Sequence, residues 1–452
     1  MVKYTLLLLL VSITAQAQHP MLSGIDQKED IRILKSNLEK YHPGLYRYTA
    51  RDSIEYAFDL VDARIEDQPI DCFYAEVTWL LSKVRCGHTR SAPPSSMHKA
   101  FIKKEVFLPL DVQYVNNQLY IKNKFIGTSG LYIGDEIVAI NNQSISEISS
   151  TIFSHIPADG FIEAGKYQQV GANFSLYYQF YVGTGINEYQ LQIRDANDAL
   201  RCVTITGIPW EQLEYEEEQQ LPLSLSIHPN YALLDIRTFD SRAINQSGQD
   251  YYSFLESSFK ELKEKRVKNL IMDLRRNGGG DDNYGAMLVS YFAKNDFRYF
   301  ESIEVTEHYD GYGNVKLSNG KRLMTSHNGL DVWHPQPNRF SGNVYVLTDG
   351  FSFSTCADVA TVMHHHQLAT FIGQETGGGY DGNTSGNSKS LILPHSGIRV
   401  NVPMWKYTTA NRGHSYYGRG VIPDYTTSRA RQALIENTDV ELAKALELIQ
   451  RN

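Results

Sequence analysis

Cysteine is scarce: Cys72, Cys86, Cys202 and Cys356 are four in 452 residues. So few cannot build the disulfide framework that holds small secreted domains together. None has the CxxC spacing of a structural zinc site. Cys72 and Cys86 bracket one predicted helix, and spacing alone leaves their pairing open. HExxH is absent, which disfavours a zinc peptidase. His364, His365 and His366 are consecutive on one predicted helix, so they point three ways and cannot share a metal. No GK[ST] follows the glycine run Gly278–Gly280, which excludes a Walker A phosphate loop. No long basic run offsets the net charge of −8, so nucleic acid is not an expected partner. Leu6 to Val11 is far shorter than the ~20 apolar residues of a membrane-spanning helix.

What is present is ordinary for a globular protein: 42% hydrophobic and 21% charged residues. The length predicts two or three domains. Lys3, the run Leu6–Val11 and Ala15-Gln16-Ala17 follow one another as in a secretory signal cut after Ala17. Residues 1–17 are therefore expected to be a signal peptide, and the protein to be exported, periplasmic or secreted. No cysteine follows the cut, so a lipid anchor there is not supported. No membrane span is expected after cleavage.

Residues 18–98 read as helical. Ile31, Leu34, Leu38 and Tyr41 recur at helical spacing, and His42-Pro43 stops that helix. Asp52 with Glu55 predicts a capping box before Ile54, Phe58, Val61 and Ile65. A third helix carries Phe73, Val77, Leu80, Leu81 and Val84 and ends near Gly87. Residues 99–215 turn to strand patterning, with hairpin asparagines at 116 and 117. From 216 to 452 strands and helices alternate: Tyr231–Ile236, a helix burying Phe254, Leu255, Phe259 and Leu262, Asn269–Leu274, Val344–Leu347, and a helix from about Ser354. That alternation predicts an α/β layer. Residues 295–340 look like a polar insertion.

Three segments carry candidate chemistry. In VYVLTDGFSFSTCADVA (344–360), Ser354 falls where a strand gives way to a helix. The helix dipole there favours the negative charge of an attacking serine, although the same position suits a capping serine. In LIMDLRRNGGGDD (270–282), glycines let backbone approach a substrate and free N–H groups to donate. A tight turn is the bland alternative. In VRCGHTR (84–90), His88 is a candidate base, since neutral imidazole can take a serine's proton near pH 7. A lone histidine is more often structural. Cys356 has the pattern of a packing residue.

Taken together and in order, these segments resemble the tail-specific, or carboxyl-terminal processing, serine peptidase family. DLRRNGGG is similar to the family's DLRxNxGG strand and turn, SFST to its nucleophile segment, and GRGVIPD (418–424) to its closing motif. GDEIVAINNQSI (134–145) resembles a PDZ signature, with Asn142 in place of its last glycine. The resemblance implies a multidomain α+β fold. An N-terminal helical domain (18–98) would precede a PDZ-like β-rich module (99–215) and a C-terminal crotonase/ClpP-like α/β catalytic domain (216–452). It implies Ser354 as nucleophile and the backbone of Gly279 and Thr355 as oxyanion donors. The lysine of the family's Ser–Lys branch is missing, since Gly379 stands at its place. GHTR instead matches the tricorn-core-like branch, which makes His88 the base. That branch's glutamate falls near Tyr417 here, so Glu375 and Asp381 are the candidates for orienting His88. The implied function is an exported serine endopeptidase without metal or organic cofactor. Its partners would be polypeptides, with their C-termini as one route of recognition. The alternatives are an inactive peptide- or lipophile-binding protein of the same fold, or an acyl hydrolase. Oligomeric state is not legible.

Overall fold

The structure, a computed structural model, describes residues 20–213, 220–411, 413, 416–427 and 430–451. The expected signal segment and the expected boundary at 215–216 lie outside the described residues.

The helix Gly24–Tyr41 starts where Ser23 Oγ accepts the Asp26 N–H, and it stops at His42, as a following proline requires. It buries Ile31, Leu34 and Leu38. The helices Arg51–Arg64 and Ile70–Lys83 bury Ile54, Phe58 and Val61, and Phe73, Val77, Leu80 and Leu81. The expected capping box does not form. The helix begins at Arg51 with Ala50 at the cap, which places Asp52 in the first turn beside the positive helix end. The third helix ends at Lys83 rather than near Gly87, because Arg85 takes a left-handed φ of 56°. These helices share one continuous apolar core with the α/β layer, so segment 84–90 is packed against that layer.

Residues 110–206 carry a six-stranded antiparallel sheet with its own core, including Val112, Leu119, Ile137, Ile140, Leu191 and Ile193. Its hairpins turn on Asn116-Asn117 and Asn141-Asn142, both with φ of 49° and 66°. Asparagine tolerates that left-handed geometry, so Asn142 serves where a glycine would.

The α/β layer is a six-stranded sheet. Leu223–Ile227 pairs antiparallel with Ala232–Ile236. Asn269–Asp273, Asn343–Thr348, Thr370–Gly373 and Tyr425–Thr426 then continue it in parallel. Ligand sites in such sheets lie beyond the carboxyl ends of the strands. Asp273 pairs with Leu347 and Thr348 with Gly373, so three loops leave the sheet side by side. They hold Asn277–Gly280, Ser354 and Glu375–Gly379.

Residues 295–340 are not a purely polar insertion. Phe297, Tyr299, Phe300 and Ile303 are buried, and Phe300–Val305 pairs with Trp405–Thr409 in a second sheet. Cys72 and Cys86 are both free thiols. Cys72 is exposed, whereas Cys86 is buried with its thiol donating to Thr384 O.

Candidate active site

Ser354 ends the turn after strand Asn343–Thr348 and precedes the helix Thr355–His365. Its φ of 55° and ψ of −132° are unusual for an L-residue. The turn is forced into that shape by Asp349. One carboxylate oxygen accepts the N–H groups of Arg276, Phe351 and Ser352, and the other accepts Gln168 Nε2. Ser352 Oγ donates to Leu274 O. The Ser354 hydroxyl makes no capping bond to its own helix. It faces His88 instead, with Nε2 3.1 Å from Oγ across 266 residues.

His88 sits in a loop pinned from several sides. Its carbonyl accepts Asn401 Nδ2 at 2.8 Å, and Asn401 N–H donates to Arg90 O. The short strand Ser91–Ala92 pairs with Arg399–Val402. The Thr89 hydroxyl meets His42 Nε2 at 2.8 Å, which ties the loop to the first helix. The Phe353 ring stacks on the imidazole, centroids 4.5 Å apart. Burial pushes His88 down to about 3, with Arg90 adding to the effect. The ring is therefore neutral at ordinary pH, as a base must be.

The glycine loop lies against Ser354. A Cβ on Gly279 would come within 2.6 Å of Ser354 Cβ and 2.9 Å of Thr355 N, so only glycine allows this approach. The Gly279 N–H donates to Asn277 Oδ1 at 2.9 Å, in a turn fixed by Asn277 Nδ2 donating to Ile236 O. The Gly278 N–H has no hydrogen-bond partner among the described residues, and Gly278 lines the cavity beside Ser354. Thr355 N–H is the first of its helix and has no helical carbonyl to donate to. The Thr355 hydroxyl meets Asp282 Oδ1 at 2.8 Å and Gly280 O at 2.9 Å.

Neither carboxylate expected to orient His88 is committed to it. Glu375 makes a two-pronged pair with Arg419 and accepts the Gly420 N–H. Asp381 accepts the Gly418 N–H, and its carbonyl accepts Arg47. Both brace the closing segment 418–420. The group beside His88 is Asp159, which sequence reasoning did not single out. Cys86 Sγ, a ring nitrogen of His88 and an Asp159 carboxylate oxygen all lie within 4.8 Å of one another. Such a donor set binds a metal only with the sulfur ionised. The Cys86 thiol instead donates to Thr384 O, and burial pushes it up to about 12.

Ser354 and His88 open into a cavity of about 1160 Å³. Tyr177 from the β-rich module, Tyr312 and His327 from the insertion, and Trp405 and Tyr407 from the second sheet line it. The alternation of Trp405, Tyr407 and Thr409 along their strand is a sequence trace of this aromatic wall.

Residues 230–427 match the model of peptidase family S41. This stretch is a peptidase family S41 domain. It makes the chain a serine-type peptidase, a hydrolase. Among solved structures, mature CPAF matches with a TM-score of 0.68 at 13% identity, covering 95% of this chain and 98% of that one. CPAF complexed with lactacystin gives the same TM-score and identity, over 95% and 99%. A putative peptidase from Parabacteroides merdae has a TM-score of 0.49 at 16% identity, over 95% and 97%. The CPAF likeness extends the shared fold beyond the S41 segment to nearly the whole chain.

Proposed function

We propose that this peptidase is an exported endopeptidase of the tricorn-core-like branch, with Ser354 as nucleophile and His88 as general base. The observation that carries the reading is the 3.1 Å approach of His88 Nε2 to Ser354 Oγ. Ser354 Oγ attacks the scissile carbonyl carbon as its proton passes to His88 Nε2. The carbonyl oxygen takes the displaced electron pair. When the C–N bond breaks, His88 returns the proton to the leaving amine, and water repeats the cycle on the acyl-enzyme. Thr355 N–H and Gly278 N–H are the donors for the oxyanion, Gly278 taking the place expected of Gly279.

The aromatic cavity suits a polypeptide bound through apolar side chains, presented by strand addition to the PDZ-like module. The sequence's secretory pattern supports a periplasmic or secreted location. No metal or organic cofactor enters this reaction.

Ser354→Ala is expected to fold normally and to lose hydrolysis of a peptide library by on the order of 10⁶-fold, as in a comparable serine enzyme. Circular dichroism checks the fold. Cleavage retained by that variant would overturn the assignment.

A further inference from the structure

A base that accepts a proton through Nε2 carries its own proton on Nδ1, and the imidazolium it forms needs an acceptor there. His88 Nδ1 is buried and has no hydrogen-bond partner among the described residues. Asp159 Oδ2 is also buried and also without one. Leaving such groups unpaired costs roughly 1–3 kcal/mol each. The two residues are neighbours, since an Asp159 carboxylate oxygen lies within 4.8 Å of a His88 ring nitrogen.

We propose that Asp159 is the positioning residue of this site: its carboxylate accepts the His88 Nδ1–H, fixes the tautomer that leaves a lone pair on Nε2, and balances the imidazolium. The proposal rests on the reading of His88 as base.

The backbone holds Asp159 ready for that role. Its Oδ1 accepts the Gly87 N–H at 2.7 Å, so the carboxylate is tied to the residue next to His88. Gly160 N–H donates to Arg85 O at 3.0 Å and Phe161 N–H to Gly418 O at 2.7 Å, which straps the segment to the His88 loop and the closing motif. Any side chain at 87 would collide with Phe353, its Cβ falling 2.8 Å from the ring. Oδ2 is thereby left to turn toward Nδ1. Closure to about 2.8 Å is a small side-chain adjustment of the kind catalytic hydrogen bonds make when substrate binds.

Arg47, Arg90, His42, Cys86, Tyr48 and Asp358 are the ionisable groups that face the pair. Burial pushes Asp159 up to about 6, against the Gly87 and Gly379 N–H groups and the Arg47 and Arg90 charges. It pushes His88 down to about 3.

Asp159→Asn tests this with little change of shape. The amide oxygen must stay with the Gly87 N–H, which turns the NH₂ toward Nδ1 and favours the wrong tautomer. The turnover number kcat is expected to fall on the order of 10³–10⁴-fold. KM should change less than about threefold, since the loss falls on the transition state. The acid limb of kcat/KM should shift by at least about one pH unit. Nitrogen-15 NMR of the His88 ring, recorded in the Ser354→Ala background, should show the proton on Nδ1 when Asp159 is present. In the Asp159→Asn variant the proton should move to Nε2, because Nδ1 has lost its acceptor. An Nε2–H ring in the Asp159 protein would overturn the proposal, as would a tautomer and acid limb unmoved by Asp159→Asn. The NMR result needs no turnover. It therefore separates this proposal from the wider one, which fails if Ser354→Ala or His88→Ala still hydrolyses peptide.

Discussion

Ser354 occupies a conformation that L-residues adopt at about 1–3 kcal/mol each. The surrounding hydrogen bonds to Asp349 hold it there. Gly279 is the other half of that geometry, with φ at 97° and its backbone against Ser354. Gly279→Ala is therefore expected to displace Ser354 and the Thr355 N–H together. A loss of at least ~100-fold in kcat should follow, as when an oxyanion donor is removed. Steady-state kinetics beside a urea titration checks this, and full activity would separate the glycine loop from the oxyanion. At this scale the sequence was uneven. Ser354 and His88 stood out because motif-like neighbours surround them. Asp159 did not, because its role depends on a distant loop, reached through the Gly87 N–H at a separation of 72 residues. Glu375 and Asp381 were plausible by position in the chain but point their bonds at Arg419, Gly420 and Gly418.

Elements meet at the site through their ends. The helix Asp282–Ser290 begins where Asp282 takes the Thr355 hydroxyl, so this carboxyl couples the glycine loop to the helix that follows Ser354. Burial pushes Asp282 up to about 6, with the Asp281 charge adding to it. The folded chain then holds a proton that the unfolded chain has already released. Stability contributed by this group is present at low pH and falls as pH rises from about 4 to about 6. Asp282→Asn should shrink that fall, measured as urea midpoints between pH 4 and 7 in the Ser354→Ala background; an unchanged slope would contradict it. Helices and hairpins were legible because period and turn chemistry are local: Ile31, Leu34 and Leu38 marked one face, and paired asparagines marked two turns. The insertion reads as polar because most of its buried residues, Phe297, Tyr299, Phe300, Ile303 and Val305, fall in one short stretch within a polar surround.

In the whole molecule, the front helices and the α/β sheet are joined by one apolar core, whereas the β-rich module closes its own. That shared core brings His88 to Ser354. No local pattern could reveal it, because periodicity reports which face is buried and not what covers it. The order of motifs along the chain carried that information through family resemblance. The most direct measurement of the central claim is the rate at which a fluorophosphonate probe labels the protein, with the adduct located by mass spectrometry. The adduct is expected on Ser354, formed at least ~100-fold more slowly in His88→Ala, because the hydroxyl then lacks its activating base. No adduct at Ser354, or a labelling rate indifferent to His88→Ala, would contradict it.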